Sequence, residues 1–149
     1  MISKILVPSD GSKTAQKAAE YGIDLARQLK ASIIVLSVID QRSLIAQTAP
    51  AARTARHTIE PMEDYLKAAA EGYTEEIKKL CDKSGVASTI LIKTGHPALV
   101  IVKEAKRSKA NLIVMGSHGR SALSATILGS VSYGVIHNDK SIPVLIVRG

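Results

Sequence analysis

Short runs of Val, Ile and Leu alternate along the chain with longer segments in which apolar residues recur every three or four positions. Runs that are apolar on both faces are typical of parallel strands that are covered by helices on each side. The alternation therefore predicts an α/β fold. Five strands are predicted, at Ile2–Pro8, Ser32–Ile39, Ala87–Lys93, Asn111–Met115 and Pro143–Val147. The chain contains no Trp and no Phe, so we expect an aliphatic core, which suits such a sheet.

The segments between these strands predict four helices. Ser12 is placed to cap the first, whose apolar positions run from Ala15 to Leu29. A second is expected from Ile59 to near Ser84 and Gly85, a third opens at Pro97 with apolar positions up to Ala105, and a fourth runs from about Ser130 to Asn138. Pro61 is expected in the first turn of the second helix, because a proline further inside would remove a helix hydrogen bond. Residues 41–57 show no clean period and form either a loop or a turn of helix.

Strands that are joined by helices predict an open, doubly wound parallel sheet with helices on both faces. The 149 residues are expected to form one domain, since no internal repeat or low-complexity tract divides them. In such sheets, ligands bind beyond the carboxyl ends of the strands, where the winding direction reverses. If the first strand neighbours the fourth at that point, the loop after Pro8 faces the loop after Met115.

The formal net charge of +7 invites a nucleic-acid interpretation, which the distribution of the charges does not favour. Lysines and arginines are spread along the whole chain, and few aromatic rings are available for bases to stack on. The densest basic cluster, at 103–109, falls late in a predicted helix, where cations suit the helix dipole. We therefore expect no specific nucleic-acid partner, although a basic surface still attracts anionic ligands such as nucleotides.

The cysteine content and the hydropathy of the chain indicate the cellular compartment in which the protein is expected. The single cysteine, Cys81, excludes an intramolecular disulfide, and no Cys/His cluster has the spacing of a zinc site. No apolar run approaches the roughly 20 residues that span a bilayer, and no signal-peptide pattern is present. We expect a cytoplasmic protein that is not bound to a membrane.

The stretch from Leu112 to Ser132 carries the strongest functional signal. An apolar strand stops at Gly116, a polar loop passes through Gly119, and a helix begins near Gly129. Free backbone N–H groups, a helix N-terminus and a hydroxyl can hold an anion, so this pattern predicts a phosphate site. Each glycine also has a purely structural alternative, since it can end a strand, turn a loop or begin a helix. The spacing matches neither the Rossmann G-x-G-x-x-G nor the P-loop G-x-x-x-x-G-K-[ST].

Two positions on other strands are predicted to line the same crevice. Asp10 follows the first strand, and its carboxylate can accept hydrogen bonds from ribose or adenine, or help to hold a metal through water. The alternative is that Asp10 only forms an Asx turn. Val38, near the end of the second strand, can form an apolar wall and offer backbone hydrogen bonds to a purine.

Four segments make the chain resemble the ATP-binding branch of the universal stress protein family from end to end. Pro8–Ser12 matches the family motif P-[ST]-D-G-S, and Val38–Asp40 matches V-x-D. The nucleotide signature G-x2-G-x9-G-[ST] is matched by Gly116, Gly119, Gly129 and Ser130. Pro143–Val147 matches the closing motif P-V-L-[VI]-V. The resemblance implies the sheet order 3-2-1-4-5 and homodimers that form by antiparallel pairing of the last strands. An exposed apolar edge at Ile142–Val147 supports the same expectation. Asn111 departs from the aspartate that is common in the family, away from the crevice.

The resemblance also implies ATP, AMP or ADP as the ligand, with any Mg²⁺ or Mn²⁺ held mainly by the phosphates. Adenine and ribose contacts are implied for Pro8, Ser9, Asp10 and Val38. Ribose and phosphate contacts are implied for Met115, Gly116, His118, Gly119, Arg120, Gly129, Ser130 and Val131.

The function expected from this resemblance is that of a regulatory nucleotide-binding dimer in the stress response, acting on an unidentified protein partner. No residue resembles an activated nucleophile, because the neighbours Ser117 and His118 cannot readily form a hydroxyl–imidazole pair. A slow ATPase or autophosphorylating enzyme is the alternative, although no residue is evident that would orient an attacking water. A protein-interaction dimer that does not use ATP is a third, and the complete glycine signature argues against it.

Overall fold

The computed structural model of the chain describes residues 1–42, 56–119 and 128–149, and of residues 56–60 it describes the backbone alone. Five strands lie in the described ranges: β1 Lys4–Pro8, β2 Ser32–Asp40, β3 Ser88–Gly95, β4 Leu112–Gly116 and β5 Val144–Val147. They form one parallel sheet in the order β3-β2-β1-β4-β5. The α/β fold that the sequence predicts is confirmed, as is the strand order that the resemblance implies.

Helices cover both faces of the sheet. They are α1 Lys13–Leu29, α2 Arg56–Lys83, α3 Pro97–Arg107 and α4 Ser130–Asn138. α1 and α2 pack on one face, and α3 and α4 pack on the other. The order runs outward from β1 to β3 and from β4 to β5, so the winding direction reverses between β1 and β4. The candidate site is therefore expected at the carboxyl ends of these two strands.

The strands are buried on both faces because their side chains alternate in direction. In β1, Ile5 and Val7 belong to the core beneath α1 and α2, whereas Leu6 belongs to the core beneath α3 and α4. All three side chains are fully buried. Burial of one such side chain stabilises the fold by roughly 1.5–3 kcal/mol, so two aliphatic layers hold the strands that carry the site. α1 approaches the sheet with small side chains, among them Ala15, Ala18, Ala19 and Ala26.

The ends of several elements differ from the sequence predictions by a few residues. β3 extends to Gly95 because it pairs with β2 at eight positions, from Ile33–Ser88 to Asp40–Gly95. The prediction that Pro61 lies in the first turn of its helix is wrong, since α2 begins five residues earlier, at Arg56. Proline lacks the N–H that pairs with the carbonyl four residues before it, so α2 accommodates one missing hydrogen bond there.

The two alternatives for residues 41–57 are mostly left untested, because 43–55 lie outside the described residues. Within the described ranges, Gln41 and Arg42 are helical, and α2 begins at Arg56. No helix in the described part of the chain is long and apolar enough to cross a membrane.

Candidate functional site

The loop after β1 is held by short-range hydrogen bonds. The N–H of Ser9 donates to the carbonyl of Leu36 at 2.8 Å, which keeps the start of the loop in line with β2. Asp10 Oδ1 accepts from the N–H of Ser12 at 2.9 Å. Asp10 therefore forms the Asx turn that was the structural alternative for this residue. Ser12 Oγ accepts from the N–H of Ala15 at 3.1 Å, which confirms Ser12 as the N-cap of α1.

The loop after β4 begins directly against the first turn of α1. A Cβ atom on Gly116 would lie 2.7 Å from Thr14 Cγ2 and 3.2 Å from the Thr14 carbonyl oxygen. Real side chains do not pack this closely, so glycine is required here by the close approach of α1. Further along the loop, a Cβ atom on Gly119 would overlap Asp10 Oδ2. The loops after β1 and β4 therefore meet, as the sequence predicted for the point where the winding reverses.

The third glycine of the signature joins this loop to α4. Gly129 is the N-cap of α4, and its N–H donates to the carbonyl of Ser117 at 2.6 Å. A Cβ atom on Gly129 would lie 3.0 Å from His118 Cα. On its other side, His118 Nδ1 lies 3.4 Å from Thr14 Oγ1 in the first turn of α1. His118 is therefore placed between the N-terminal turns of two helices.

Val38 directs backbone polar groups into the gap beyond β1. Residues two apart on a parallel strand turn their N–H and C=O groups toward the same neighbouring strand. Leu36 faces β1, because its carbonyl accepts from Ser9, and Pro8 lies opposite it as the last residue of β1. The peptide groups of Val38 consequently point past the end of β1. The Val38 side chain is half-buried against the core beneath α3 and α4.

The other residues in the predicted set lie at different depths. Met115 is buried in the core beneath α3 and α4, so its side chain packs beneath the crevice and only its backbone is near the loop. Val131 is half-buried against the same core, and Ser130 is exposed as the first residue of α4. Arg120 lies outside the described residues. Within the described ranges, no group of three or more His, Cys, Asp or Glu side chains is placed to hold a metal ion.

Sequence reasoning missed three residues that border the crevice. The first is Thr14, which contacts Gly116 and His118. The second is Gly149, since a Cβ atom on it would lie 2.9 Å from Thr14 Oγ1 and 3.0 Å from His118 Cε1. The third is Ser132, whose Oγ donates to the carbonyl of Gly116 at 2.8 Å. Ser132 lies two residues after the Gly-Ser pair that begins α4, which is the only sequence signal for its role.

Comparison with known proteins places this geometry in a family. The model of the universal stress protein family matches residues 1–148. Universal stress protein MJ0531 of Methanocaldococcus jannaschii is 32% identical over 148 residues, which cover 99% of this chain and 83% of the relative. Universal stress protein YxiE of Bacillus subtilis is 32% identical over 151 residues, which cover 99% of this chain and all of the relative, 100%.

Solved structures show the same fold. That of the hypothetical protein MJ0577 of Methanocaldococcus jannaschii has a TM-score of 0.85 and 32% identity, and the match covers 100% of this chain and 97% of that one. A universal stress protein in complex with cAMP has a TM-score of 0.70 and 22% identity, with 99% and 97% covered. An Arabidopsis thaliana family protein with AMP bound has a TM-score of 0.68 and 20% identity, with 98% and 91% covered. Matched by its family model over residues 1–148, the chain belongs to the universal stress protein family.

Proposed function

We propose that this chain binds an adenine nucleotide, ATP or its relatives ADP and AMP, in the crevice beyond the carboxyl ends of β1, β2 and β4. The observation that carries the proposal is the position of His118 between the first turns of α1 and α4. A helix N-terminus carries roughly half a positive charge and several N–H groups without helical partners. Two such termini at one loop favour a polyanion such as a phosphate chain.

The phosphates are proposed to lie against the main chain of the loop after β4. Gly119 is exposed and presents its backbone there, whereas Gly129 is buried and joins the loop to α4 through its bond to the Ser117 carbonyl. In the described part of the chain, α4 has no side-chain hydrogen bond at its N-cap, so the N–H groups of its first turn are available to a ligand. Ser130 is exposed at the first position of α4 and adds a hydroxyl donor. We assign charge neutralisation to His118 and Arg120, and any Mg²⁺ or Mn²⁺ would be held mainly by the phosphates.

Adenine and ribose are proposed to lie between β1 and β2. Val38 offers a peptide donor and acceptor beyond the end of β1, and an adenine edge pairs an acceptor with an amine donor. Pro8 and Ser9 close the other side of this gap. The carboxylate of Asp10 has several acceptor positions, so its bond to Ser12 is compatible with a further bond from a ribose hydroxyl.

Two structural neighbours support this choice of ligand class, since one is described in complex with cAMP and the other with AMP bound. Because they are only 22% and 20% identical to this chain, they support no more than the capacity of this fold to hold an adenine nucleotide. The residue assignments rest on the geometry of this chain.

We further propose that the chain acts as a homodimer that pairs through β5. β5 is the edge strand of the sheet beside β4, and Val144, Leu145 and Ile146 are only half-buried. An apolar edge strand pairs readily with a second copy. The N–H of Ser117 donates to the carbonyl of Val147 at 2.9 Å, which joins the crevice loop to the end of β5. Nucleotide occupancy and the dimer edge are thereby connected, as a regulatory module requires.

The test is calorimetric titration of the full chain with ATP, comparing the wild type with Gly119→Val. The added side chain would meet the end of the Asp10 side chain and no backbone atom, so the fold should persist while the crevice is filled. We expect ATP affinity to fall by at least about tenfold, or about 1.4 kcal/mol. Gly129 is less suitable, because a side chain there would meet the backbone of His118. Gly72→Ala is the matched control, since nothing lies within 4 Å of that position on α2.

The outcomes separate the hypotheses. Absence of ATP binding by the wild type would refute the nucleotide module, and unchanged affinity in a folded Gly119→Val variant would refute the proposed crevice. ATP recovered intact after incubation supports the module. Steady release of ADP that Gly119→Val abolishes would instead support the slow ATPase.

A further inference from the structure

We propose that Ser132 is the positioning residue of the nucleotide crevice and that it presents the backbone N–H of His118 to the phosphates, an inference that rests on the proposed function. Ser132 lies in the first turn of α4, and only 2% of its surface is exposed. Its Oγ lies 2.8 Å from the carbonyl oxygen of Gly116 and 3.3 Å from that of Ser117. One buried hydroxyl therefore joins α4 to the end of β4 and to the loop that follows.

These contacts fix the direction of the peptide between Ser117 and His118. The Ser117 carbonyl faces the first turn of α4, where it accepts from the N–H of Gly129 at 2.6 Å and lies beside Ser132 Oγ. In a trans peptide, the C=O and the following N–H point in opposite directions. The N–H of His118 is consequently directed away from α4. Among the described residues, none accepts a hydrogen bond from it.

The peptide between Gly116 and Ser117 also has its C=O and N–H on opposite sides. The Gly116 carbonyl accepts from Ser132 Oγ, and the N–H of Ser117, on the opposite side of that peptide, donates to the carbonyl of Val147 at 2.9 Å. The serine hydroxyl shares its single proton between two successive carbonyls, with the shorter contact to Gly116 and the longer to Ser117. The first peptide bonds to β5, and the second is left with an N–H for a ligand. A phosphate oxygen is the acceptor that suits an N–H at a helix N-terminus.

Removal of the hydroxyl should act on the phosphates and spare the nucleoside. Without Ser132 Oγ, the carbonyl of Gly116 loses its hydroxyl donor, and the carbonyl of Ser117 keeps only the N–H of Gly129. The peptide before His118 is then held by one bond in place of two, so it turns more easily. A turned peptide would present a carbonyl oxygen in place of an N–H, and a carbonyl oxygen repels phosphate. The groups assigned to adenine lie on β1 and β2 and do not depend on this peptide.

The experiment is calorimetric titration of the full chain with ATP and, separately, with adenosine. For Ser132→Ala we expect ATP binding to weaken about tenfold, the loss of one hydrogen bond to charged phosphate, with adenosine affinity unchanged within about twofold. Ser132→Thr keeps the hydroxyl and should recover most of the ATP affinity. The matched control is Ser108→Ala at the end of α3, because Ser108 Oγ lies 2.7 Å from the Glu104 carbonyl and 3.3 Å from that of Ala105. The control should leave both affinities unchanged.

A second measurement needs no variant. In the ¹⁵N-labelled wild-type chain, the amide signal of His118 should shift on addition of ATP and stay nearly unchanged with adenosine. Equal weakening of ATP and adenosine in Ser132→Ala, no weakening at all, or a His118 amide that does not respond to ATP would overturn the inference while leaving nucleotide binding in place. No ATP binding by the wild type would instead overturn the proposed function, and the inference with it.

Discussion

Asp139 closes the turn between α4 and β5 with a carboxylate that is almost entirely enclosed. Its Oδ2 accepts from the N–H of Ile142 at 2.9 Å and from the N–H of Ser141 at 3.2 Å, and its Oδ1 accepts from Ser141 Oγ at 2.8 Å. Lys106 Nζ lies 3.2 Å from Oδ1. Only 6% of the Asp139 side chain is exposed, against 56% for Lys106. The turn is therefore built around the ionised form of the carboxyl group.

The pKa of Asp139 gives the size of this contribution and its sign. Burial acts to raise the pKa, but hydrogen bonds from Ile142, Ser141 and Lys106 outweigh it and lower the pKa from 3.8 to about 2. A shift of this size corresponds to about 2 kcal/mol as an upper value, since Lys106 is largely exposed. Because the folded pKa is the lower one, the stabilisation is present above the unfolded value near 4 and is lost as the pH falls toward 2.

We therefore predict that Asp139→Asn lowers the free energy of unfolding by about 1–2 kcal/mol at pH 7. Urea denaturation of both proteins at several pH values measures it, and the gap should narrow steadily from pH 4 to pH 2. Asp24→Asn is the matched control, because Asp24 is exposed and bonds mainly to Arg27, so its loss should be much smaller. A gap that stays constant down to pH 2 would refute the assignment of the stabilisation to the charged carboxylate.

Three further changes follow from the contacts. Gly116→Ala should destabilise the fold by about 1–3 kcal/mol in urea denaturation, because the new Cβ meets the backbone of Thr14; full stability would contradict that close approach. Gly72→Ala should raise stability by roughly 0.5–1 kcal/mol, since the position is helical and open, and a loss would show a contact at this position. Ile146→Lys should convert the proposed dimer to a monomer in sedimentation velocity; because Ile146 is half-buried against the core, an unchanged circular dichroism spectrum is the control, and a folded dimer that persists would exclude β5 as the interface.

The strands and helices could be predicted because each depends on a local period. β1, for example, is an apolar run that ends at Pro8, and the N-cap of α1 is a serine at the expected place. The sheet order came from the resemblance, since no local pattern specifies which strands are neighbours. Pro61 was predicted in the first turn because a proline further inside a helix removes one hydrogen bond. In the structure, α2 continues on both sides of Pro61 and tolerates that loss.

The sequence indicated which residues belong to the candidate site better than it indicated which of them are in contact. The spacing marked the glycines, but it could not show that Gly116 meets α1 or that Asp10 turns back to Ser12. Thr14 and Ser132 were missed for the same reason. A threonine or serine in the first turn of a helix is common, and its role depends on the strand end that tertiary packing brings beside it.

The structural and the functional interpretations of the three glycines are therefore not alternatives. Glycine is required at Gly116 by the approach of α1 and at Gly129 by the backbone of His118, whereas a side chain at Gly119 would meet only the end of the Asp10 side chain. These contacts bring the N-terminal turns of α1 and α4 beside His118. Two positive helix ends at one place repel each other. An anionic ligand removes that repulsion, so the arrangement that packing requires is also one that suits the proposed phosphate chain.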